Sequence, residues 1–301
     1  MNQDRPAKPT GSLLERAAEI YDFAEALRSK GAPVAPTPSA IAAKAVDYAF
    51  RSHADEKPVQ PVDRTALRQA GFVVPDGPIS GLSEEFRIIK RQLLLTATGG
   101  RQGEKMPHAE RILICSAHPG EGKTFCAVNL ALSMAAEKDV EVLLIDADFA
   151  KPSILSTLGI AGGPGLMDAL ADHAVDVEDC VIRTDVPGLF VLPAGRQSNA
   201  DTEYLASSRT AAVFNALTAP YPNRILIFDS PPILAASPAA VLAGHVGQTV
   251  LVVRADETTE TALRDAVGLL AACDNIQLLL NGVKFSPGGR RFGSYYGQGG
   301  K

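Results

Sequence analysis

Short apolar runs alternate with helical segments from about residue 110 onward, and this alternation predicts the fold. Within the runs apolar and polar residues rarely alternate, which is typical of strands buried on both faces of a parallel sheet. Segments with helical spacing lie between them, for example Ala127–Ala136 and Thr258–Ala272. We therefore expect right-handed β-α-β units and an α/β fold, with a mostly parallel sheet flanked by helices. The predicted strands are Ile112–Cys115, Val140–Ile145, Leu189–Leu192, Ile225–Phe228, Thr249–Val253 and Ile276–Leu280.

The first 80 residues have a different pattern, because nine prolines interrupt them. Ser12–Glu15 is a capping box that opens a short helix ending at Gly31. The stretch Ser39–Arg51 also has helical spacing. Helices of this length are marginally stable alone, so residues 1–80 are predicted to form a partly disordered arm with short helices. An arm that docks on a partner is the alternative.

The pattern changes near residue 81, where a new domain is predicted to begin. A longer helix is expected to run from Ser83, its N-cap, through Leu95, before the glycines at 99 and 100. The strand-rich domain is predicted over residues 81–284. Residues 285–301 are rich in Gly and poor in apolar residues, which predicts a flexible tail.

Composition narrows the class of protein further. The chain has 301 residues, of which 46% are hydrophobic, enough for a sizeable core. A net charge of −5 gives no electrostatic case for a nucleic-acid partner. The four cysteines show neither zinc spacing nor a disulfide framework, which favours a reducing, cytosolic compartment. No apolar run approaches the roughly 20 residues that span a bilayer, and the N-terminus lacks the apolar segment of a signal peptide.

The sharpest motif is a glycine-rich loop over Ala117–Thr124, between the first predicted strand and a helix. Gly120 and Gly122 allow backbone N–H groups to turn toward phosphate oxygens, and the helix N-terminus adds its positive dipole end. Lys123 is expected to reach the β- and γ-phosphates, and the Thr124 hydroxyl to bind Mg²⁺. The strict pattern begins with Gly where this chain has Ala. Strand, loop and helix together predict a P-loop NTPase fold, rather than a glycine-rich turn of structural role alone.

Two predicted strands end in acidic residues. Asp146 and Asp148 follow one strand, and Asp229 follows another. Ligands of open α/β sheets bind beyond the carboxyl ends of the strands, so we expect these carboxylates near the phosphate loop. They are suited to hold Mg²⁺ or its waters and to orient a nucleophile. The alternative for a lone Asp at such a place is a cap or turn residue.

Together these motifs resemble those of the bacterial tyrosine kinases (BY-kinases), P-loop proteins of polysaccharide synthesis and export. Pro119–Thr124 resembles their Walker A motif, Asp146–Asp148 their second Walker A-type motif, and Asp229–Pro232 their Walker B motif. The resemblance covers roughly residues 80–301. Ser12–Ala17, with the stretch Leu67–Gly77, further resembles the exosortase (XrtA)-associated tyrosine autokinases of exopolysaccharide loci.

The resemblance implies an ATP-dependent protein-tyrosine autokinase that uses Mg²⁺. Lys123, Asp146 and Asp148 would be catalytic, with the two aspartates positioning Mg²⁺ and activating the tyrosine hydroxyl. The metal would be held by Thr124, Asp146 and Asp229. Asn281 matches a position that hydrogen-bonds adenine in related ATPases, although a strand-ending turn is the alternative. The nucleotide-binding residues would be Gly120, Glu121, Gly122, Lys123, Thr124, Phe125 and Asn281.

The resemblance also implies partners. Glu84, Arg87 and Lys90 match a helix that packs subunits into a ring, with Lys90 in place of an Arg. The phosphoacceptors would be Tyr295 and Tyr296, a sparse set for this family. Family members without a membrane segment depend on a membrane protein of the chain-length-determinant type. We therefore expect a cytoplasmic protein, peripheral to the inner membrane through such a partner.

Several residues depart from the family pattern. After the Asp-x-Asp motif stands Phe149–Pro152, with Lys151 as its one basic residue where the family often has Arg. His118 stands where partition-type ATPases carry a second lysine, which argues against that class. Two alternatives to an autokinase follow: an ATPase switch that regulates assembly of a polysaccharide export complex, and a scaffold that binds ATP to keep its shape.

Overall fold

A computed structural model describes residues 57–99 and 106–283. Seven strands form one sheet in the order β3-β4-β2-β5-β1-β6-β7, and every adjacent pair is parallel except β3 with β4. The strands are β1 (Arg111–Ser116), β2 (Glu141–Asp146), β3 (Ile182–Arg183), β4 (Leu189–Leu192), β5 (Arg224–Asp229), β6 (Gln248–Arg254) and β7 (Ile276–Asn281). The helices are α1 (Arg64–Gln69), α2 (Gly81–Ala97), α3 (Lys123–Ala135), α4 (Ile154–Leu158), α5 (Leu166–Ala171), α6 (Asp201–Leu205), α7 (Ser208–Thr218), α8 (Pro238–Ala243) and α9 (Glu260–Leu269).

The predicted fold class is confirmed. All six predicted strands are present, with bounds that differ by a residue at most. Sequence reasoning missed β3, because two residues carry no periodic signal. Its antiparallel pairing with β4 makes the sheet mostly parallel rather than wholly so.

Alternate side chains of the central strands enter two apolar cores, one on each face of the sheet. In β2, Val142 and Leu144 lie in the core beneath α2 and α3. Leu143 and Ile145 point into the opposite core, beneath α5, α7 and α8. All four side chains are fully buried. A strand covered on both faces needs apolar residues at every position, which explains the continuous apolar runs of the sequence.

The edge strand β7 does not follow this rule. Leu278 is 59% exposed and Leu280 62% exposed. The expectation of burial on both faces is therefore wrong for β7, although its partner β6 is buried through most of its length. An apolar run at a sheet edge looks the same in sequence as a run at the centre, because burial depends on what covers the strand.

The start of α2 differs from the prediction. Its N-cap is Ser80, whose Oγ accepts from the Ser83 N–H at 3.1 Å. The Ser83 Oγ in turn accepts from the Ser80 N–H at 2.8 Å, so Ser83 is the third helical residue rather than the cap. The helix ends at Ala97. Two serines three residues apart satisfy each other's backbone donors, which makes the earlier one the start of the helix.

Residues 57–80 pack on the sheet domain. The Gln60 N–H donates to the Arg183 carbonyl at 2.9 Å, the Asp63 N–H donates to the Leu158 carbonyl at 2.8 Å, and Leu67 is fully buried. The packed unit thus begins before the boundary predicted at residue 80. The helices predicted before Arg51 and the tail with its two tyrosines lie outside the described residues. No helix of the described ranges is both long and apolar enough to cross a membrane.

Candidate active site

The P-loop and the acidic residues predicted to bind phosphate and Mg²⁺ lie at the carboxyl edge of the central strands. The segment Ala117–Thr124, here called the P-loop, follows β1 and enters α3, and strand β5 separates β1 from β2. Parallel pairing sets Asp146 of β2 directly beside Asp229 of β5. Ile114 of β1 pairs with Asp229 on its other side. The strand order therefore brings Thr124 of the P-loop beside Asp229, although the two are 105 residues apart in the sequence.

The P-loop backbone has the conformation that its glycines permit. Gly120 has φ +84° and Gly122 has φ +96°, in the left-handed region that other residues rarely adopt. Gly122 is the N-cap of α3 and supplies no side-chain acceptor to the first helical N–H groups. These donors, with the dipole of α3, form a site suited to an anionic phosphate group.

Lys123 lies at the start of α3 and pairs with the second acidic residue of the Asp-x-Asp motif. Its Nζ is 2.9 Å from Asp148 Oδ2, and both side chains are largely buried. The other Asp148 oxygen accepts from the Lys151 N–H at 3.2 Å. The Lys123 ammonium group thus lies between the P-loop and the loop that follows β2. Its flexible side chain allows it to turn from the Asp148 carboxylate to a phosphate.

Thr124 and Asp229 form the second polar pair of the site. The Thr124 Oγ1 donates to Asp229 Oδ2 at 2.6 Å, and Asp229 is fully buried. Burial raises the pKa of Asp229 to about 7, opposed by Lys123 and Thr124 and reinforced by Asp146 and Asp148. Its Oδ1 has no hydrogen-bond partner within residues 57–99 and 106–283.

This unpartnered oxygen suits a magnesium site. Mg²⁺ is usually held by one or two carboxylates together with substrate phosphates and waters. Asp229 Oδ1 and the Thr124 hydroxyl supply such a small oxygen set beside the P-loop. Among the described residues no cluster of three or more His, Cys, Asp or Glu side chains forms a cage for a metal. Waters and nucleotide phosphates are the further ligands that Mg²⁺ usually takes beside one or two carboxylates.

Asp146 has a different environment from Asp229. Its Oδ2 accepts from the Ser153 N–H at 2.9 Å and the Ile154 N–H at 3.0 Å, and its Oδ1 accepts from the Asp148 N–H at 3.3 Å. Burial raises the pKa of Asp146 to about 6, and these backbone donors oppose the rise. The Asp146 carboxylate thus binds the backbone at the start of α4, and its part in a metal site stays a prediction.

Asn281 and Phe125 lie beside the P-loop, and their side chains have different roles. The Asn281 Nδ2 donates to the Glu121 carbonyl at 2.9 Å. The partly buried Phe125 ring packs against Phe72, with 4.9 Å between centroids, at the edge of the apolar core beneath α2 and α3. Its backbone, in the first turn of α3, is the part that lies near the phosphate site.

The residues predicted at a subunit interface separate into two environments. Glu84 and Arg87 pair with each other along α2, and the Arg87 side chain is 43% exposed. Lys90 is buried, with its Nζ 2.7 Å from the Ser133 carbonyl and 2.7 Å from Glu137 Oε1. The structure thus places Lys90 inside the chain, at the C-terminal end of α3, rather than on an open face beside Arg87.

Gln197 is a site residue that sequence reasoning missed. Its Nε2 donates to the Phe149 carbonyl at 2.6 Å and to the Ala150 carbonyl at 3.2 Å. It therefore holds the loop that follows Asp148, the segment in which Lys151 is the one basic residue. A glutamine in a loop gives no signal in the sequence, since its role depends on a contact with residues 47 or 48 positions away.

Comparisons with known proteins agree with the motifs. A family model described as an AAA domain matches residues 109–282. The tyrosine-protein kinase YwqD of Bacillus subtilis is 30% identical over 226 residues, which cover 74% of this chain and 91% of YwqD. The tyrosine-protein kinase wzc of Salmonella typhimurium is 29% identical over 184 residues, which cover 61% of this chain and 25% of wzc.

A solved structure extends the likeness to three dimensions. The kinase domain of the Escherichia coli tyrosine kinase ETK matches with a TM-score of 0.59 and 25% identity, covering 78% of this chain and 87% of that domain. The chain spans nearly all of YwqD but only a quarter of wzc. With the P-loop and the two acidic strand ends meeting at one edge, these matches show that the chain belongs to the bacterial tyrosine kinase (BY-kinase) family.

Proposed function

We propose that this chain is an ATP-dependent protein-tyrosine autokinase that regulates the synthesis, polymerisation or export of an exopolysaccharide. The observation that carries the proposal is the Lys123–Asp148 ion pair of 2.9 Å, beside the Thr124–Asp229 pair at the mouth of the P-loop. A kinase needs a cation for the phosphates, oxygens for Mg²⁺ and a carboxylate near the acceptor hydroxyl. All three kinds of group lie at this edge of the sheet.

ATP would bind with its phosphates against the P-loop backbone and Lys123. Thr124 and Asp229 would hold Mg²⁺, with Asp146 near it. When bound, Mg²⁺ neutralises charge on the β- and γ-phosphates. Nucleotide binding would draw Lys123 from Asp148 toward the phosphates, because a triphosphate carries more negative charge than one carboxylate.

Asp148, once released from Lys123, would be free to accept the proton of the tyrosine hydroxyl. The tyrosine oxygen attacks the γ-phosphorus, the bond to the ADP oxygen breaks, and the hydroxyl proton passes to a carboxylate. Asp148 is better suited than Asp146 to accept this proton. When Lys123 turns to the phosphates, Asp148 Oδ2 loses its partner and becomes available. Both Asp146 oxygens already accept backbone N–H groups.

The acceptors proposed are Tyr295 and Tyr296 of a neighbouring subunit in a ring-like homo-oligomer. Glu84 and Arg87 on the partly exposed side of α2 support a subunit boundary there. Activation would come from a membrane protein of the chain-length-determinant type, which would hold the kinase at the inner membrane. Fractionation of cells that express the whole exopolysaccharide locus should place the protein with membranes. Recovery wholly in the soluble fraction would contradict this part of the proposal.

Incubation with Mg²⁺ and ATP labelled at the γ-phosphate tests the reaction itself. Wild-type protein should carry label on tyrosine, and the Tyr295→Phe/Tyr296→Phe variant should lose it. Lys123→Ala should abolish labelling and weaken ATP binding, because the phosphates lose their mobile cation. Label released only as free phosphate would instead support the alternative, an ATPase switch that regulates assembly of an export complex. A Lys123→Ala variant that binds and turns over ATP normally would contradict the site.

A further inference from the structure

Side chains from the end of β6, from the turn after it and from the end of β7 contact the outer side of the P-loop. The Thr258 Oγ1 donates to Glu121 Oε1, and the Asn281 Nδ2 donates to the Glu121 carbonyl at 2.9 Å. The Arg254 Nη1 lies 3.5 Å from the Gly120 carbonyl. Arg254 and Asn281 are themselves register partners in the β6–β7 pair. Segments distant in sequence from the P-loop therefore contact two of its successive residues, Gly120 and Glu121.

Glu121 is the centre of these contacts. Its side chain is buried, although it belongs to a loop suited to bind an anion. Buried glutamates are rare unless each oxygen has a partner, since desolvation penalises the charged form. Here Oε1 accepts from Thr258 and Oε2 accepts from the His118 N–H at 2.9 Å. The Glu121 carboxylate thus forms one hydrogen bond within the P-loop and one to the turn after β6.

Thr258 is oriented before it meets Glu121. Its Oγ1 accepts from the Arg254 N–H at 2.9 Å, which directs the hydroxyl hydrogen toward the carboxylate. It lies directly before Thr259, the N-cap of α9, whose own side chain accepts from the Ala262 N–H. The turn between β6 and α9 therefore fixes the position of the donor.

We infer that Glu121 and Thr258 are a pair of positioning residues that hold the P-loop open for phosphate before a nucleotide arrives. The inference rests on the proposed function in one respect, namely that the loop binds the phosphates of ATP. A loop already in its binding conformation binds without a free-energy cost of rearrangement. A loop that samples other conformations binds with lower apparent affinity. The pair acts on the loop backbone, so its loss weakens binding of any polyphosphate, with or without a base.

Calorimetric titration with ATP and with inorganic tripolyphosphate, each with Mg²⁺, tests the inference. Thr258→Val removes the hydroxyl and should weaken both ligands by roughly 10-fold, the cost of one hydrogen bond to a buried charge. Thr258→Ser keeps the hydroxyl and should restore wild-type affinity. Thr261→Val makes the same change on an exposed part of α9 and should bind as wild type. Thermal unfolding of each variant checks that the fold is intact.

The double variant separates a coupled pair from two independent effects. In Glu121→Gln one oxygen remains for two donors, so Glu121→Gln alone should also weaken both ligands. The Thr258→Val/Glu121→Gln protein should bind little more weakly than Glu121→Gln, because the contact is already impaired. Losses that multiply, or tripolyphosphate binding unchanged in Thr258→Val, would overturn the inference. Wild-type protein that binds neither ligand would instead overturn the proposed function.

Discussion

Gly122 has a structural requirement that arises at the scale of a single residue. Its φ of +96° belongs to the left-handed region, and a Cβ at this position would lie 2.1 Å from Asn281 Nδ2. The backbone conformation thus disfavours a side chain, and a methyl group would also have to displace the Asn281 amide. Asn281 was expected near adenine, and in this structure its amide lies against the phosphate loop instead. Its contact with adenine stays a prediction.

Gly122→Ala should weaken ATP binding by at least about 10-fold, because strain in the left-handed region costs about 1–3 kcal/mol and the methyl group displaces Asn281. Adding Asn281→Ala should restore part of the affinity, since it removes the contact and leaves the backbone strain. Gly163→Ala is a matched control, because a Cβ there meets nothing within 4 Å. Equilibrium binding of a fluorescent ATP analogue measures all three. Equal affinity of Gly122→Ala and wild type would contradict the packing described here.

The buried carboxylate of Asp229 should make the stability of the nucleotide-free protein depend on pH. Its pKa is about 7 in the folded protein, against an ordinary value of 3.8. Between these values the folded protein keeps a proton that the unfolded chain has lost, so the free energy of unfolding falls as pH rises.

Asp229→Asn removes this titration. Relative to wild type, the variant should gain on the order of 1–3 kcal/mol between pH 5 and pH 8. Urea unfolding in the absence of Mg²⁺ and nucleotide measures this difference, and activity should be lost at the same time. A difference between the two proteins that stays constant with pH would contradict the raised pKa of Asp229.

At the scale of one element, the loop after β2 gives its two aspartates different tasks. Asp146 accepts from the backbone at the start of α4, whereas Asp148 turns back to Lys123. Gln197 holds the carbonyl groups of the loop from outside. One carboxylate therefore shapes the loop while the other remains paired with the mobile cation of the P-loop.

Asp146→Ala should leave the Ser153 and Ile154 N–H groups without their acceptor, while Asp148→Ala should not. We expect hydrogen exchange of these two amides to rise roughly 10-fold in Asp146→Ala, the effect of losing a helix cap. Amide-resolved exchange by NMR makes the comparison, with Asp148→Ala as its matched control. Both variants should lose tyrosine phosphorylation. Unchanged exchange in Asp146→Ala would show that the carboxylate does not hold α4.

At the scale of the whole molecule, α2 packs against its own chain and carries the residues proposed to lie at a subunit boundary. Lys90 stabilises the C-terminal end of α3 through the Ser133 carbonyl, where a cation also meets the negative end of the helix dipole. Arg87 pairs with Glu84, three residues earlier on the same helix, and is partly exposed. The motif predicted to build a ring therefore contains one residue that serves the fold of its own subunit.

Lys90→Ala and Arg87→Ala should separate these roles. Lys90→Ala should lower the free energy of unfolding by about 1–3 kcal/mol, because a buried carbonyl loses its donor. Arg87→Ala should change it by less than about 0.5 kcal/mol, as expected for an exposed ion pair, and should reduce the mass of the oligomer. Urea unfolding and light scattering measure the two effects. If Arg87→Ala assembles as wild type does, α2 is not the proposed boundary.

Six of the seven strands, the P-loop and the acidic strand ends could be predicted from the sequence alone. A strand covered on both faces must be apolar at every position, so β1, β2, β4, β5 and β6 were visible as runs. The P-loop was visible because its chemistry requires Gly, Lys and Thr at fixed spacing along one short segment. Parallel strands align their carboxyl ends, so Asp146 and Asp229 could be assigned to one edge before the strand order was known.

Tertiary structure decided which of these groups touch. The order β2-β5-β1 makes Asp146 and Asp229 register neighbours, and the Lys123–Asp148 pair joins segments 25 residues apart. The burial of Lys90, the hold of Gln197 on the β2 loop and the contact of Thr258 with Glu121 all depend on distant segments. No local pattern records such contacts, because lysine, glutamine and threonine are equally suited to solvent, and only the packed chain determines which of them are buried.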